Sequence, residues 1–153
     1  MPSFLLIAVL TICAAFDLRQ LRIPNALTLG GFCSAGLYLL ISGHSLLGAS
    51  PSAALLSLVL ALLLSLPAYG LGYLGAGDVK LLAMLGLASD STFLLHSLIG
   101  AGLSYVLWAL ISQQFWPLLA AQWQSYLRHL APARLRRYPY APFVLIGAIA
   151  ACL

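Results

Sequence analysis

Two of the three acidic residues in the chain, Asp17 and Asp78, have the residue type and the surroundings needed for acid–base chemistry. Two carboxyl groups that share one site cannot both ionise easily, so the pKa of one rises and that of the other falls. The ionised carboxylate can take a proton from an attacking water, while the protonated carboxyl stabilises an oxyanion and then protonates a leaving amine. Such a pair would hydrolyse a peptide bond, and we expect neither a metal ion nor another cofactor.

The first aspartate precedes a short turn motif, Ile23-Pro24-Asn25. A proline disfavours the helical conformation of the residue before it, so the first helix is predicted to run past Asp17 and to end near Arg22. The side chain of Asn25 is predicted to cap the second helix by accepting a hydrogen bond from an amide of its first turn. Taken alone, the segment also permits an ordinary helix end, at which Asp17 pairs with a neighbouring arginine.

The second aspartate follows two glycines, Gly75 and Gly77, and precedes Lys80. Glycines permit backbone torsions closed to other residues and let another chain approach closely. Asp78 is predicted to open the fourth helix. By itself the pattern is also compatible with an ordinary turn, in which Asp78 is the N-cap and Lys80 anchors the helix at the membrane surface. The two motifs together favour a site, because two of only three acids fall where a pair could form.

The composition predicts a membrane protein. Of the 153 residues, 63% are hydrophobic and only 7% are charged, whereas soluble globular domains carry roughly 25% charged residues. At about 20 residues per crossing, the apolar runs predict an all-α polytopic bundle of about six transmembrane helices, formed by one domain over residues 1–153. The predicted spans are 3–18, 26–43, 52–74, 79–89, 92–112 and 140–153.

The basic residues predict the orientation of the bundle. With six spans, all seven Lys and Arg residues fall on one face, which the positive-inside rule makes cytoplasmic, so both termini are predicted to lie outside. The run at 79–89 is short, and a re-entrant segment is the alternative there, but the charge pattern favours a crossing. Asp17 and Asp78 lie at the cytoplasmic ends of two short spans and are therefore predicted to face each other at that membrane surface.

The longest loop, at 113–138, places apolar residues at helical spacing and ends in a cluster of arginines. This pattern predicts an interfacial helix in the last cytoplasmic loop. Its arginines would face anionic lipid headgroups. The basic residues behind the net charge of +4 are thus interpreted as signals of membrane orientation and as contacts with lipid headgroups. We expect lipid and no nucleic acid as a partner.

At these residues the sequence resembles the type IV prepilin peptidases, membrane aspartyl proteases with one Asp before an Ile-Pro-Asn turn and a second Asp in a GxGD motif. The similarity extends over Gly75–Ala83 and to the Tyr-Pro-Tyr-Ala-Pro segment at 138–142, which is similar to the start of the family's last helix. The resemblance implies that Asp17 and Asp78 are the catalytic pair. Other residues of the two motifs are expected to shape the site. They are Pro24, Asn25, Gly75, Gly77 and Lys80.

The resemblance also implies a substrate and a location. Such peptidases cut prepilins after a glycine, between a short basic leader and a hydrophobic helix, at the cytoplasmic face of the bacterial inner membrane, and they serve a pilus or secretion assembly. Bifunctional members carry a CxxC insertion and N-methylate the trimmed pilin. Here the first cytoplasmic loop has only about seven residues and no cysteine. We therefore expect the short, peptidase-only branch associated with Flp or tad-type pilins, without methyltransferase activity.

Two other functions are compatible with paired acids in a six-span protein. In a small proton-coupled transporter or channel component, Asp17 and Asp78 would carry protons. In a purely structural subunit of a secretion complex they would have no chemical role. The placement of both acids toward one face, away from the midplane, argues against the transporter. The free-energy cost of placing carboxylates in a membrane argues against a purely structural subunit.

Overall fold

The computed structural model describes residues 2–20, 23–115 and 139–152, and it is helical throughout these ranges, apart from the connecting turns. The helices are α1 (Pro2–Gln20), α2 (Asn25–Ser42), α3 (Pro51–Gly70), α4 (Ala76–Ala88), α5 (Ser91–Phe115) and α6 (Ala141–Ala151). The predicted all-α class is confirmed for the described residues. Each predicted span corresponds to one helix, although α3 ends four residues earlier than predicted and α4 begins three residues earlier.

Three of the described helices are long and apolar enough to cross a bilayer: α2, α3 and the stretch Ser91–Ser112 of α5. Helix α4 has 13 residues, which is about 20 Å at a rise of 1.5 Å per residue, against a hydrocarbon core of about 30 Å. Helix α6 is shorter still, with 11 residues. The chain is therefore a helical membrane protein, while the six-span topology with both termini outside stays a prediction.

Helix α4 lies at the centre of the bundle, packed against α2 and α3. Its residues from Leu81 to Ala88 are all buried. Small residues let the neighbouring helices approach closely: a Cβ on Gly86 would lie 2.8 Å from the carbonyl oxygen of Ser57 in α3. Because protein covers the apolar side chains of α4, its length need not match the thickness of the bilayer.

Helix α6 is held between α1 and α5. Its contact with α5 is made by glycine on both sides, since a Cβ on Gly100 would lie 2.7 Å from the Cα of Gly147. This packing places the first residues of α6 beside the end of α1 that carries Asp17. The outer faces of α2, α3 and α5 carry exposed leucines such as Leu40, Leu63 and Leu103, as expected for helices that face lipid.

Two predictions lie wholly or largely outside the described residues. One is the interfacial helix at 113–138, of which the described part contains only the last three residues of α5, up to Phe115. The other is the end of the first helix near Arg22, although α1 does run past Asp17 to Gln20.

Candidate active site

Asp17 and Asp78 line one open cavity with a volume of about 620 Å³. The end of α1, the turn before α2, the end of α3 and the start of α4 surround it. The lining residues are Asp17, Gln20, Ile23, Pro24, Asn25, Tyr69, Leu74, Gly75, Ala76, Gly77 and Asp78. The structure thus brings together every residue singled out in the two motifs except Lys80, which contacts this group through Asn25.

Asp17 is buried, with 5% of its surface exposed, three residues before the end of α1. Its Oδ2 accepts a hydrogen bond of 3.0 Å from the backbone amide of Ala141, the first residue of α6. The free amides at a helix N-terminus and the helix dipole favour a negative charge. The bundle therefore offers this buried carboxylate a helix N-terminus from 124 residues further along the chain. The described hydrogen-bond partner of the Asp17 carboxyl is therefore an amide of α6 and not Arg19 at the end of α1.

Asp78 is the third residue of α4, because the helix begins at Ala76 and its N-cap is Gly75. The interpretation of Asp78 as an N-cap is therefore wrong, and the helix starts two residues before Asp78, which was predicted to open it. Its Oδ2 accepts a hydrogen bond of 3.0 Å from the Gly75 amide. This is one half of a capping box, and glycine has no side chain to make the other half.

Burial raises the pKa of the Asp78 carboxyl to about 7. The negative charge of Asp17 acts in the same direction, while the hydrogen bond from Gly75 lowers the pKa. Asp78 directly precedes the span predicted at 79–89 and lies in the open cavity. The Asp78 carboxyl therefore keeps its proton to a higher pH than an ordinary aspartate does. One carboxyl that faces a helix N-terminus and one that keeps its proton are the two partners that acid–base hydrolysis needs.

One of the two glycines of the second motif, Gly75, is used for close approach. Gly75 has an ordinary φ of −82°, and the positive φ values of the described residues fall on Gly43, Gly48 and Gly72. A Cβ on Gly75 would lie 3.1 Å from the Asp78 Oδ2, so glycine leaves room for that carboxyl.

Gly77 has a different neighbour. A Cβ there would lie 3.4 Å from the Cβ of Ile23, immediately before Pro24. This is an ordinary van der Waals distance, so the start of α4 packs against the turn that follows α1 and a Cβ at position 77 would fit. The special backbone torsion predicted as one use of these two glycines belongs instead to Gly72, in the preceding turn.

Asn25 does not cap α2, and this prediction is wrong. The helix begins at Asn25 itself, with Pro24 as its N-cap. The carbonyl of Pro24 accepts from the amides of Leu27 and Thr28 at 3.0 and 3.3 Å. The side chain of Asn25 is therefore available to another helix, and its Oδ1 accepts a hydrogen bond of 2.8 Å from Lys80 Nζ.

Sequence reasoning missed two further contributors to the cavity. One is the Ala141 amide, which donates to Asp17. The segment 138–142 was recognised only as the start of a helix, because a backbone donor is not encoded by a particular residue type. The other is Tyr69, which lines the cavity from the last turn of α3. Nothing in the apolar pattern around Tyr69 distinguishes it from the neighbouring lipid-facing residues.

The remaining described acid and a nearby histidine have local partners. Asp90 Oδ1 accepts a hydrogen bond of 3.1 Å from the amide of Phe93 and so caps α5. The Nδ1 of His96 lies 2.8 Å from the carbonyl oxygen of Thr92. Across residues 2–20, 23–115 and 139–152, no group of three or more His, Cys, Asp or Glu residues could hold a metal ion.

Comparison with known proteins identifies the class to which this fold and cavity belong. The model of a peptidase family matches residues 4–110, which include both aspartate motifs and more than half of the 153 residues. The chain belongs to that family, the type IV leader peptidase family. The resemblance stated from the motifs is thereby confirmed, and the chain is a peptidase. No curated protein and no solved structure matches it.

Proposed function

We propose that this peptidase is an aspartic endopeptidase that removes the short leader of Flp-like type IV prepilins, cutting after a glycine at the cytoplasmic face of the bacterial inner membrane. The observation that carries the proposal is the single cavity lined by Asp17 and Asp78. The two carboxyls come from separate motifs of a chain that belongs to the type IV leader peptidase family.

The different surroundings of the two carboxyls suggest their roles. Asp17, which accepts the Ala141 amide, is the base: it takes a proton from water as the water oxygen attacks the scissile carbonyl carbon. Asp78, which holds a proton, donates a hydrogen bond to the developing oxyanion. As the C–N bond breaks, Asp78 gives this proton to the leaving amine. Asp17 ends the cycle protonated and Asp78 ionised, and exchange with solvent restores both.

The position of the cavity supports a membrane-interface substrate. Tyr69 lines the cavity, and Tyr73 in the next turn is 80% exposed. Tyrosine is enriched where a membrane meets water. Arg19 and Lys80, the described residues of the lysine and arginine type, also lie at this end of the bundle, which favours a cytoplasmic orientation. A prepilin helix lying in the bilayer would present its leader at this depth.

The connection between α1 and α2 supports a peptidase without methyltransferase activity. Only residues 21–24 separate Gln20, at the end of α1, from Asn25, at the start of α2. Bifunctional members of the family carry their cysteine-rich insertion in this loop. We infer that the trimmed pilin leaves this chain unmethylated and that a pilus or secretion assembly takes it up.

Cleavage of prepilins by the reconstituted full chain tests the proposal. We expect an Flp-like prepilin to be cut after its glycine, which mass spectrometry of both products will locate, and the rate to be unaffected by EDTA. A prepilin with that glycine replaced by a bulky residue serves as the substrate control. If no prepilin from a panel is cleaved, the proposal fails. Proton flux into the same proteoliposomes would then support the transporter.

A further inference from the structure

The hydrogen bond between Asn25 and Lys80 joins the two aspartate motifs at the rim of the cavity. Lys80 Nζ donates to Asn25 Oδ1 over 2.8 Å, although the two residues are 55 positions apart. Asn25 is the first residue of α2, and Lys80 follows Asp78 by two residues in α4. The contact therefore ties the start of one helix to the first turns of the other.

A packing contact lies on the other side of Asp78. Gly77 lies against Ile23, and an added Cβ would be in ordinary contact with the Ile23 Cβ at 3.4 Å and with its backbone nitrogen at 3.6 Å. Ile23 is buried, with 8% of its surface exposed. The backbone around Asp78 is thus flanked by two contacts with this segment: Gly77 packs on Ile23 in the turn after α1, and Lys80 bonds to Asn25 at the start of α2.

These two contacts differ in what they can contribute. The packing of Gly77 on Ile23 is apolar and sets how closely α4 approaches the turn. The Asn25–Lys80 hydrogen bond lies on the exposed side, where interactions of charged groups add little to stability. It is directional, however, and can restrain the rotation of the first turns of α4 relative to α2. That rotation determines where the Asp78 carboxyl lies relative to Asp17.

We propose that the Asn25–Lys80 hydrogen bond, here called the clasp, positions Asp78 opposite Asp17, which makes Asn25 and Lys80 positioning residues of the peptidase. The kinetic part of the test rests on the proposed function, and the distance part does not. A displacement of about 1 Å at a catalytic group can lower a rate on the order of 100-fold. Loss of the clasp should therefore lower kcat and leave KM nearly unchanged.

A double-mutant cycle separates positioning from the charge of the lysine. Asn25→Ala removes the acceptor and keeps the cation, Lys80→Met removes the donor, and the double variant removes both. Each single variant should lower kcat by a few-fold and at most about tenfold, and the double variant should lose no more than the worse single variant. Lys80→Arg keeps a charged donor and should restore most of kcat. Arg19→Met, the matched control, removes an exposed cation from the same end of the bundle and should leave kcat unchanged.

A distance measurement tests the clasp without any substrate. Spin labels on cysteines introduced at Gln20 and Ala76 report the separation of α1 and α4 across the cavity, after the exposed Cys33 and Cys152 are replaced by serine. The distance distribution should broaden in Asn25→Ala and Lys80→Met and should stay narrow in Lys80→Arg and Arg19→Met. If Lys80→Met does not fold, the distance distribution of Asn25→Ala is compared with that of the control variants.

The clasp is overturned if the losses in kcat are additive, if Asn25→Ala keeps full activity while Lys80→Met does not, or if the distance distribution is unchanged. Additivity would mean that the two side chains act independently. Activity that depends on Lys80 alone would mean that the charge acts directly. Failure of the wild type to cleave any prepilin would overturn the proposed function instead, while the broadening in Asn25→Ala would still support the clasp.

Discussion

Asp78 and Asp90 make similar local hydrogen bonds at opposite ends of α4, yet only one of them faces a second carboxyl. Asp78 Oδ2 accepts from the Gly75 amide over 3.0 Å, and Asp90 Oδ1 accepts from the Phe93 amide over 3.1 Å. Each aspartate therefore satisfies an amide at the start of a helix. Asp78, however, shares a cavity with Asp17, and Asp90 follows the far end of α4. The two aspartates therefore differ in what lies across from the carboxyl, and not in the helix start that each one caps.

The largest difference between the two ends should appear when each aspartate is replaced by asparagine. Asp78→Asn removes the acid and should lower leader release by about 1,000-fold. Asp90→Asn keeps an oxygen that can cap α5, since asparagine caps as well as aspartate, and should cleave like the wild type. Initial rates with reconstituted protein give the comparison. Equal losses in both folded variants would mean that Asp78 is merely a structural cap.

The pH dependence of the rate should follow Asp78. Its pKa is raised to about 7, so the carboxyl keeps its proton to a higher pH than an ordinary aspartate does. Only the protonated form can serve as the acid, and kcat should therefore fall about tenfold per pH unit above that pKa. Rates measured between about pH 6 and pH 9 should show this limb in the wild type and in Asp90→Asn alike. A rate that does not change over this range would assign the acid to another group.

Alanine at Gly86 in α4 and at Gly75, its N-cap, should separate effects on the stability of the core from effects on the candidate site. Gly86→Ala places a Cβ 2.8 Å from the carbonyl oxygen of Ser57, so α3 and α4 must move apart. The free energy of unfolding should fall by about 1 to 3 kcal/mol, with a lower Tm in detergent.

Gly75→Ala is the comparison variant at the end of α4 that carries Asp78. It places a Cβ 3.1 Å from Asp78 Oδ2 and should lower kcat by roughly tenfold, because the carboxyl has to shift. Its Tm should change less than that of Gly86→Ala. The reverse order, with the larger loss of Tm at Gly75, would show that this glycine serves packing and not the carboxyl.

The smallest effect is expected at the cap of α5. Asp90→Ala removes the side-chain oxygen that accepts from Phe93 and should lower the free energy of unfolding by about 1 kcal/mol, while the pH profile of cleavage stays the same. The effect is measured by comparing the thermal unfolding of Asp90→Ala with that of Asp90→Asn. A change in the pH profile would connect Asp90 to the site and remove the contrast between the two ends.

Much of this arrangement could be predicted from the sequence because charged residues are so scarce. With only three acids in 153 residues, the positions of Asp17 and Asp78 at the ends of apolar runs were enough to predict that they meet. The helices also lie within a few residues of the predicted runs, because either lipid or neighbouring helices cover their apolar side chains.

The partners of individual side chains could not be predicted. Asn25 has the residue type of a cap, but Pro24 takes that position in the helix and Asn25 bonds to Lys80 instead. The amide of Ala141 reaches Asp17 only because α6 packs between α1 and α5. The short run at 79–89 posed a choice between crossing and re-entry, whereas the structure shows a helix enclosed by its neighbours. Each of these outcomes depends on packing between distant segments, which leaves no local pattern.

Single-turnover cleavage of an Flp-like prepilin by the wild type and by Asp17→Asn tests most directly whether the two carboxyls form one catalytic pair. Asparagine has nearly the same shape as aspartate and cannot take the proton from water. The wild type should release the leader after the glycine. Folded Asp17→Asn, with an unchanged Tm, should release none within the same time. Leader release by folded Asp17→Asn at a rate near that of the wild type would contradict the account.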